Sequence, residues 1–121
     1  NLTRIDGELD LNDAKKIKSL GNLTYVGGHV FLTSSKVKSL GNLTEVGGML
    51  ELFNSNVKNL GNLTSVGGDL DLKMTDILDF GNLKKVGGNL ELGACKILFN
   101  YKSPKKIRSI VDVGGKIKLK L

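Results

Sequence analysis

Apolar residues recur along this chain at a fixed period of 20. The segment Leu20-Gly21-Asn22-Leu23-Thr24-Tyr25-Val26-Gly27-Gly28 returns from Leu40 to Gly48, from Leu60 to Gly68, and from Phe80 to Gly88. Behind each glycine pair comes an alternation: Val30/Leu32, Leu50/Leu52, Leu70/Leu72 and Leu90/Leu92. One more aliphatic follows five residues later, at Val37, Val57, Ile77 and Ile97. Residues two apart share one face of a strand, so each alternation predicts a short strand with a buried side. A single turn cannot bury that side, whereas stacked turns form a continuous aliphatic ladder. Between the strands, Leu-x-x-Leu-x-x-Val suits a 3₁₀-like or extended path, because Gly21, Thr24, Gly27 and Gly28 weaken a long helix. The paired glycines predict a sharp turn with φ > 0 ahead of the strand, which Gly48→Val would disrupt.

Both ends are eroded. Leu2-Thr3-Arg4-Ile5-Asp6-Gly7-Glu8-Leu9-Asp10-Leu11 matches the second half of the unit with one extra residue before Ile17, and Val113-Gly114-Gly115-Lys116-Ile117-Lys118-Leu119 restores the Gly pair and the alternation at the end. Six strands are thus predicted. Gly88 and Gly115 are 27 residues apart rather than 20. Within that longer interval, Ser103-Pro104 is an N-cap and first-turn pair. Ile107, Ile110 and Val111 fall on one helical face, which predicts a short basic helix. The domain reading is a single solenoid over 1–121, with an eroded first repeat (1–19), four regular repeats (20–99), and a helix and final strand (100–121).

The alternation resembles the leucine-rich repeat, Leu-x-x-Leu-x-Leu-x-x-Asn/Cys/Thr. It reads here through Val30, Leu32 and Ser35, then Leu50, Leu52 and Ser55, then Leu70, Leu72 and Thr75, then Leu90, Leu92 and Cys95. The short unit is similar to bacterial repeats, and its Val-Gly-Gly-x-Leu-x-Leu variant to repeats of gut Bacteroidetes and their tailed phages. The resemblance implies a right-handed superhelix with one parallel sheet of about six short strands on its concave side and a mostly irregular convex side. It also implies that Ser35, Ser55, Thr75 and Cys95 face inward and tie loop backbone together. Because they stand where the family has Asn, a full asparagine ladder is not expected. The alternative fold is a three-faced parallel β-helix. The resemblance specifies architecture and leaves function open.

Outward positions of the predicted strands fall into three columns. The first is Glu8, His29, Met49, Asp69, Asn89, Lys116; the second Asp10, Phe31, Glu51, Asp71, Glu91, Lys118; the third Asn12, Thr33, Phe53, Lys73, Gly93, Lys120. Phe31, Met49 and Phe53, with His29, cluster on adjacent strands, a pattern that marks partner sites. Glu51, Asp71 and Glu91 stack in one column, where strands ~4.8 Å apart set like charges against each other at about 1 kcal/mol per pair in water. Lys73, a bound cation or a basic partner would offset this, and solvent alone is the simpler reading. The resulting expectation is a protein-interaction module whose partner lies on His29, Phe31, Met49, Glu51, Phe53, Asp71 and Glu91. A structural segment of a larger bacterial or phage assembly is the alternative.

Charge adds a second surface. The chain carries a net +6, yet residues 1–101 hold 11 basic and 11 acidic side chains and sum to zero. The excess lies at Lys102, Lys105, Lys106, Arg108, Lys116, Lys118 and Lys120 against Asp112. Such an end suits nucleic acid or an anionic surface. With Tyr101 as the only nearby aromatic it has little to stack bases on, and lysines also protect an edge strand from adding another chain. A nucleic-acid partner is therefore the less favoured reading.

Catalytic chemistry finds little support, so the expectation is a non-enzyme without a cofactor or metal. Asp69 and Asp71 are spaced as a carboxylate pair, but on an open face. His29 has no nucleophilic partner at a recognisable spacing, and Cys95 occupies an inward position. The glycines recur with the repeat rather than in a phosphate-binding pattern. Asn1, Asn22, Asn42 and Asn62 each begin an Asn-x-Thr sequon, whose periodicity assigns it to turn chemistry rather than to glycosylation. One cysteine excludes an internal disulfide framework. No apolar run is long enough to cross a bilayer as a helix. A first residue other than Met suggests a processed or excised chain, and the compartment stays open.

Overall fold

The computed structural model describes residues 2–121. It is a parallel β-solenoid with two strands in each repeat. The strands preceding the glycine pairs are β1 (Arg4–Ile5), β3 (Tyr25–Val26), β5 (Glu45–Val46), β7 (Ser65–Val66), β9 (Lys85–Val86) and β11 (Asp112–Val113). Those following them are β2 (Leu9–Asp10), β4 (Val30–Phe31), β6 (Leu50–Glu51), β8 (Leu70–Asp71), β10 (Leu90–Glu91) and β12 (Ile117–Lys118). Each set forms its own six-stranded sheet, stacked in chain order. Among the described residues the third side has no regular strands, only an isolated parallel bridge between Ser19 and Ser39.

Two sheets, not one, is the correction to the sequence expectation, and the parallel β-helix fits this arrangement. Register explains the second sheet. Val26, Val46 and Val66 pair in succession, and backbone amides carry the ladder, as where Gly47 donates to the Val26 carbonyl at 2.7 Å. The glycine pairs turn the corner between the sheets, but not through positive φ. Positive φ belongs instead to Gly21, Gly41, Gly61 and Gly81 at 54–59°. At the corner the constraint is contact between rungs. A Cβ on Gly27 would come within 2.6 Å of the Asp6 carbonyl oxygen, and one on Gly48 within 2.8 Å of the Gly28 carbonyl carbon. Gly47, Gly67, Gly87 and Gly114 press still closer on the carbonyl oxygen of the preceding rung. Side chains are excluded because the strands stack at sheet spacing.

The core is aliphatic columns. Val30, Leu50, Leu70 and Leu90 are fully buried, as are Leu32, Leu52, Leu72 and Leu92, and Val37, Val57, Ile77 and Ile97. Burial of one such side chain contributes about 1.5–3 kcal/mol. The first rung (Ile5, Leu9, Leu11) and the last (Ile117, Leu119) are only partly covered. Threonine hydroxyls add a ladder on the third side: Thr64 donates to the Thr44 carbonyl, Thr44 to Thr24 and Thr24 to Thr3, each at 3.0 Å. The sequon asparagines Asn22, Asn42 and Asn62 stand exposed, and Asn1 lies outside the described residues.

The predicted helix is present as α1 (Pro104–Arg108), with the Ser103 side chain accepting from the Lys106 amide. Ile107 and Val111 are buried, whereas Ile110 lies beyond the helix and is 42% exposed. The helix ends too soon for a shared face. A 3₁₀ turn at Lys96–Phe99 precedes it.

Candidate functional site

The outward face of the even-numbered strands carries all three predicted columns, and strand pairing places them in order. Asp10, Phe31, Glu51, Asp71, Glu91 and Lys118 follow one another directly across the sheet. Most of these polar groups are already engaged. His29 Nδ1 accepts from the Met49 amide at 2.9 Å, Asp69 from the Asn89 amide at 2.7 Å, and Asn89 from the Lys116 amide at 2.8 Å. The first column thus ties successive rungs through side chain to backbone, a role the spacing alone did not reveal.

The acidic column is partly neutralised from within the sheet. Lys73 Nζ lies 3.0 Å from Asp71 Oδ2 and 3.3 Å from Glu91 Oε1. Burial opposes the charge on Lys73, but its hydrogen bonds to Asp71 and Glu91 prevail and hold its pKa above the ordinary lysine value. Its ammonium also sits 5.6 Å from the Phe53 ring centroid, in cation–π range. Glu51 Oε1 accepts from the Thr33 hydroxyl at 2.9 Å. Among the described residues no group of three or more His, Cys, Asp or Glu side chains is arranged to hold a metal ion.

Between Asp10 and the Lys73 network lies the apolar cluster. Phe31 and His29 stack at a tilt with centroids 5.6 Å apart. Phe31, Met49 and Phe53 are half-buried rather than fully exposed, while His29 is exposed. Neighbouring side chains cover part of each ring and leave an apolar band two rungs wide. The face is open: no pocket is present among the described residues.

The basic residues form two separate sets. Lys116, Lys118 and Lys120 are exposed on the last rung. Two of those on α1 are hydrogen-bonded to the chain: Lys106 donates to the Asn100 carbonyl, and Arg108 donates to the carbonyls of Val113 and Gly115, the latter two at 2.7 Å each. Lys105 is exposed on α1.

Inward positions behave unevenly. Thr75 donates to the Leu72 carbonyl and lies 3.3 Å from Cys95 Sγ, which reaches the Ile77 carbonyl. Burial pushes the Cys95 thiol pKa up, against hydrogen bonds from Thr75 and the Ile97 backbone. Ser35 and Ser55, expected to tie backbone in the same way, have buried hydroxyls without a hydrogen-bond partner.

Comparison with protein families, curated proteins and solved structures found no match. Among the described residues no helix is long and apolar enough to cross a membrane.

Proposed function

We propose that this protein is a non-enzymatic protein-interaction module whose partner docks on the outward face of β4 and β6. The observation that supports this most directly is the band of Phe31, Met49 and Phe53 at successive outward positions of adjacent rungs. On every other rung the corresponding positions are polar, charged or glycine. Aromatic and methionine side chains on a rigid sheet lose little entropy on docking and supply most of the energy of many interfaces. Glu51, fixed by Thr33, provides a preset acceptor in the middle of the band. His29, Asp71 and Glu91 flank it, the latter two held by Lys73.

The leucine-rich repeat reading belongs to the same proposal, supported by the buried Leu-x-Leu pairs and the small inward residue behind them. A binding role without catalysis accords with carboxylates committed to structural partners and with a buried Cys95.

The test is capture by cross-linking from cells of the native source, followed by mass spectrometry. Phe31→Ala/Phe53→Ala should lose the captured protein while keeping the circular dichroism spectrum of the unmodified chain. Equal capture by both would refute the reading.

A further inference from the structure

The two ends of the solenoid complement each other, independently of the face just described. In each sheet the last rung can be continued by the first rung of a second copy in the register used throughout the stack. In the first sheet that register sets Asp112 of β11 opposite Arg4 of β1, and Val113 opposite Ile5. In the second sheet it sets Lys118 opposite Asp10 and Ile117 opposite Leu9. One residue earlier it sets Lys116 opposite Glu8. Every charged pair across this junction is of opposite sign, and of the apolar side chains it joins, Ile5, Leu9 and Ile117 are only partly covered. Inside the stack the same columns contain like-charged neighbours, Glu51, Asp71 and Glu91. The junction is electrostatically better matched than the interior.

Two side chains oppose that continuation, one at each end. Arg108 Nη1 and Nη2 donate at 2.7 Å to the carbonyls of Val113 and Gly115. One rung earlier the corresponding carbonyls, Val86 and Gly88, accept from the backbone amides of Gly114 and Gly115. The guanidinium therefore fills the two acceptor positions that an added rung would use. At the other end Asp6 stands where later rungs have the first glycine of the pair, and there a Cβ collides with the carbonyl of the rung before it. On the first rung Asp6 is exposed and meets no such carbonyl.

We propose that the ends form a head-to-tail docking pair for a second copy of this chain, with β11 and β12 of one copy against β1 and β2 of the next, and that Arg108 and Asp6 hold this pairing off. Edge strands commonly carry such protection, because an unpaired ladder recruits further chains. Here the protection acts on the backbone acceptors and on the glycine corner, while the side-chain complementarity of the edges is left intact.

Sedimentation across a concentration series tests this on the 121-residue chain. The unmodified chain should remain monomeric, and Asp6→Gly/Arg108→Ala should form concentration-dependent head-to-tail oligomers, with self-association strengthened about tenfold or more. Adding Lys116→Glu/Lys118→Glu to the double variant should return it to monomer. Mixing that variant with a copy carrying Glu8→Lys/Asp10→Lys on the same double background should restore association. Asp6 and Arg108 are both exposed, so the spectra should stay those of the folded chain. A double variant that stays monomeric while folded overturns the proposal. So does association that is indifferent to the lysine reversal, or an unmodified chain that already assembles.

Discussion

The middle rungs and the end rungs of this solenoid solve the same stacking problem under different constraints. From Leu20 to Ile97 every rung has a neighbour on both sides, and the chain repeats its glycine corner, its leucine pair and its threonine ladder with little variation. At the ends one neighbour is absent from the described structure, and each constraint that came from it is relaxed. Asp6 replaces a glycine, the core leucines become half-exposed, and an arginine takes over the hydrogen bonds of an amide pair. What recurs in the middle is therefore dictated by the neighbouring rung more than by local backbone preference. Solenoid stability as a sum of rung and interface terms has the same origin.

The sharpest way to break this comparison is at the glycine corner. Gly68→Ala, at the second position of the corner, places a methyl group against the Gly48 carbonyl and the Met49 amide, and since only backbone is met, the rungs must separate. The expected loss is about 1–3 kcal/mol by chemical denaturation, and Gly67→Ala, whose methyl group would press harder on the Gly47 carbonyl, should cost more. Gly7, at the equivalent corner of the first rung, has nothing within 4 Å of its would-be Cβ. Gly7→Ala should change stability by no more than about 0.5 kcal/mol. Equal costs at the two positions would show that the corner is constrained locally after all.

That distinction marks where the sequence was legible. The 20-residue period, the buried columns at Val30, Leu50 and Leu70, the outward columns and the Ser103-Pro104 cap all depend on local alternation or capping chemistry, and the structure has them. The first sheet was not legible, because β3, β5, β7 and β9 each show one apolar residue preceded by Tyr, Glu, Ser or Lys. With two residues per strand there is no alternation to detect. The glycine pairs mark the corner in the sequence but not its cause, since a contact between residues 20 apart leaves no mark on local φ. Of the face, the positions of Phe31, Met49 and Phe53 could be read from spacing, but their partial cover, and the tying role of His29, Asp69 and Asn89, depend on side-chain geometry across rungs.

Core truncation extends the comparison with a smaller effect. Leu70 is fully buried between two leucines of its column, while Leu9 is half-exposed on the first rung. Leu70→Ala should cost about 2–5 kcal/mol, and Leu9→Ala less than half of that, because its site can collapse or hydrate. Thermal unfolding followed by circular dichroism separates the two.

Charge removal comes next. Lys73→Met removes the ammonium shared by Asp71 and Glu91, a cluster only 15–26% exposed, and should cost roughly 1 kcal/mol near neutrality. Lys118→Met, on the exposed end, should be nearly silent. The pH dependence has a definite sign. Because the folded-state pKa of Lys73 is raised, the contribution is complete below the unfolded lysine pKa of about 10.4 and is lost as pH rises through the folded value. The difference between Lys73→Met and the unmodified chain should be constant from about pH 7 to 9 and shrink above that range. A difference that grows with alkalinity would mean that the carboxylates, not the lysine, set the balance.

The smallest effect concerns the turn that follows each even-numbered strand from β2 to β10. Asp13, Ser34, Asn54, Met74 and Ala94 all have φ of 55–61°, although none is glycine. For most L-residues that region costs about 1–2 kcal/mol, with Asn and Asp excused by their local hydrogen bonding. Stacking enforces it in the middle rungs, where Asn54 donates to the Lys73 carbonyl and Met74 to that of Gly93. Replacing Ala94 or Met74 with glycine removes the strain but adds freedom to the unfolded chain, which returns about 0.5–1 kcal/mol of the gain. Ala94→Gly should therefore stabilise by a few tenths to about 1 kcal/mol, and Asn54→Gly by almost nothing. Ala94 is exposed, so little packing is lost to confuse the reading. If instead Ala94→Gly destabilises and Asn54→Gly does so equally, the turn owes its shape to intrinsic preference. The neighbouring rung would then impose less on the backbone than the glycine corners imply.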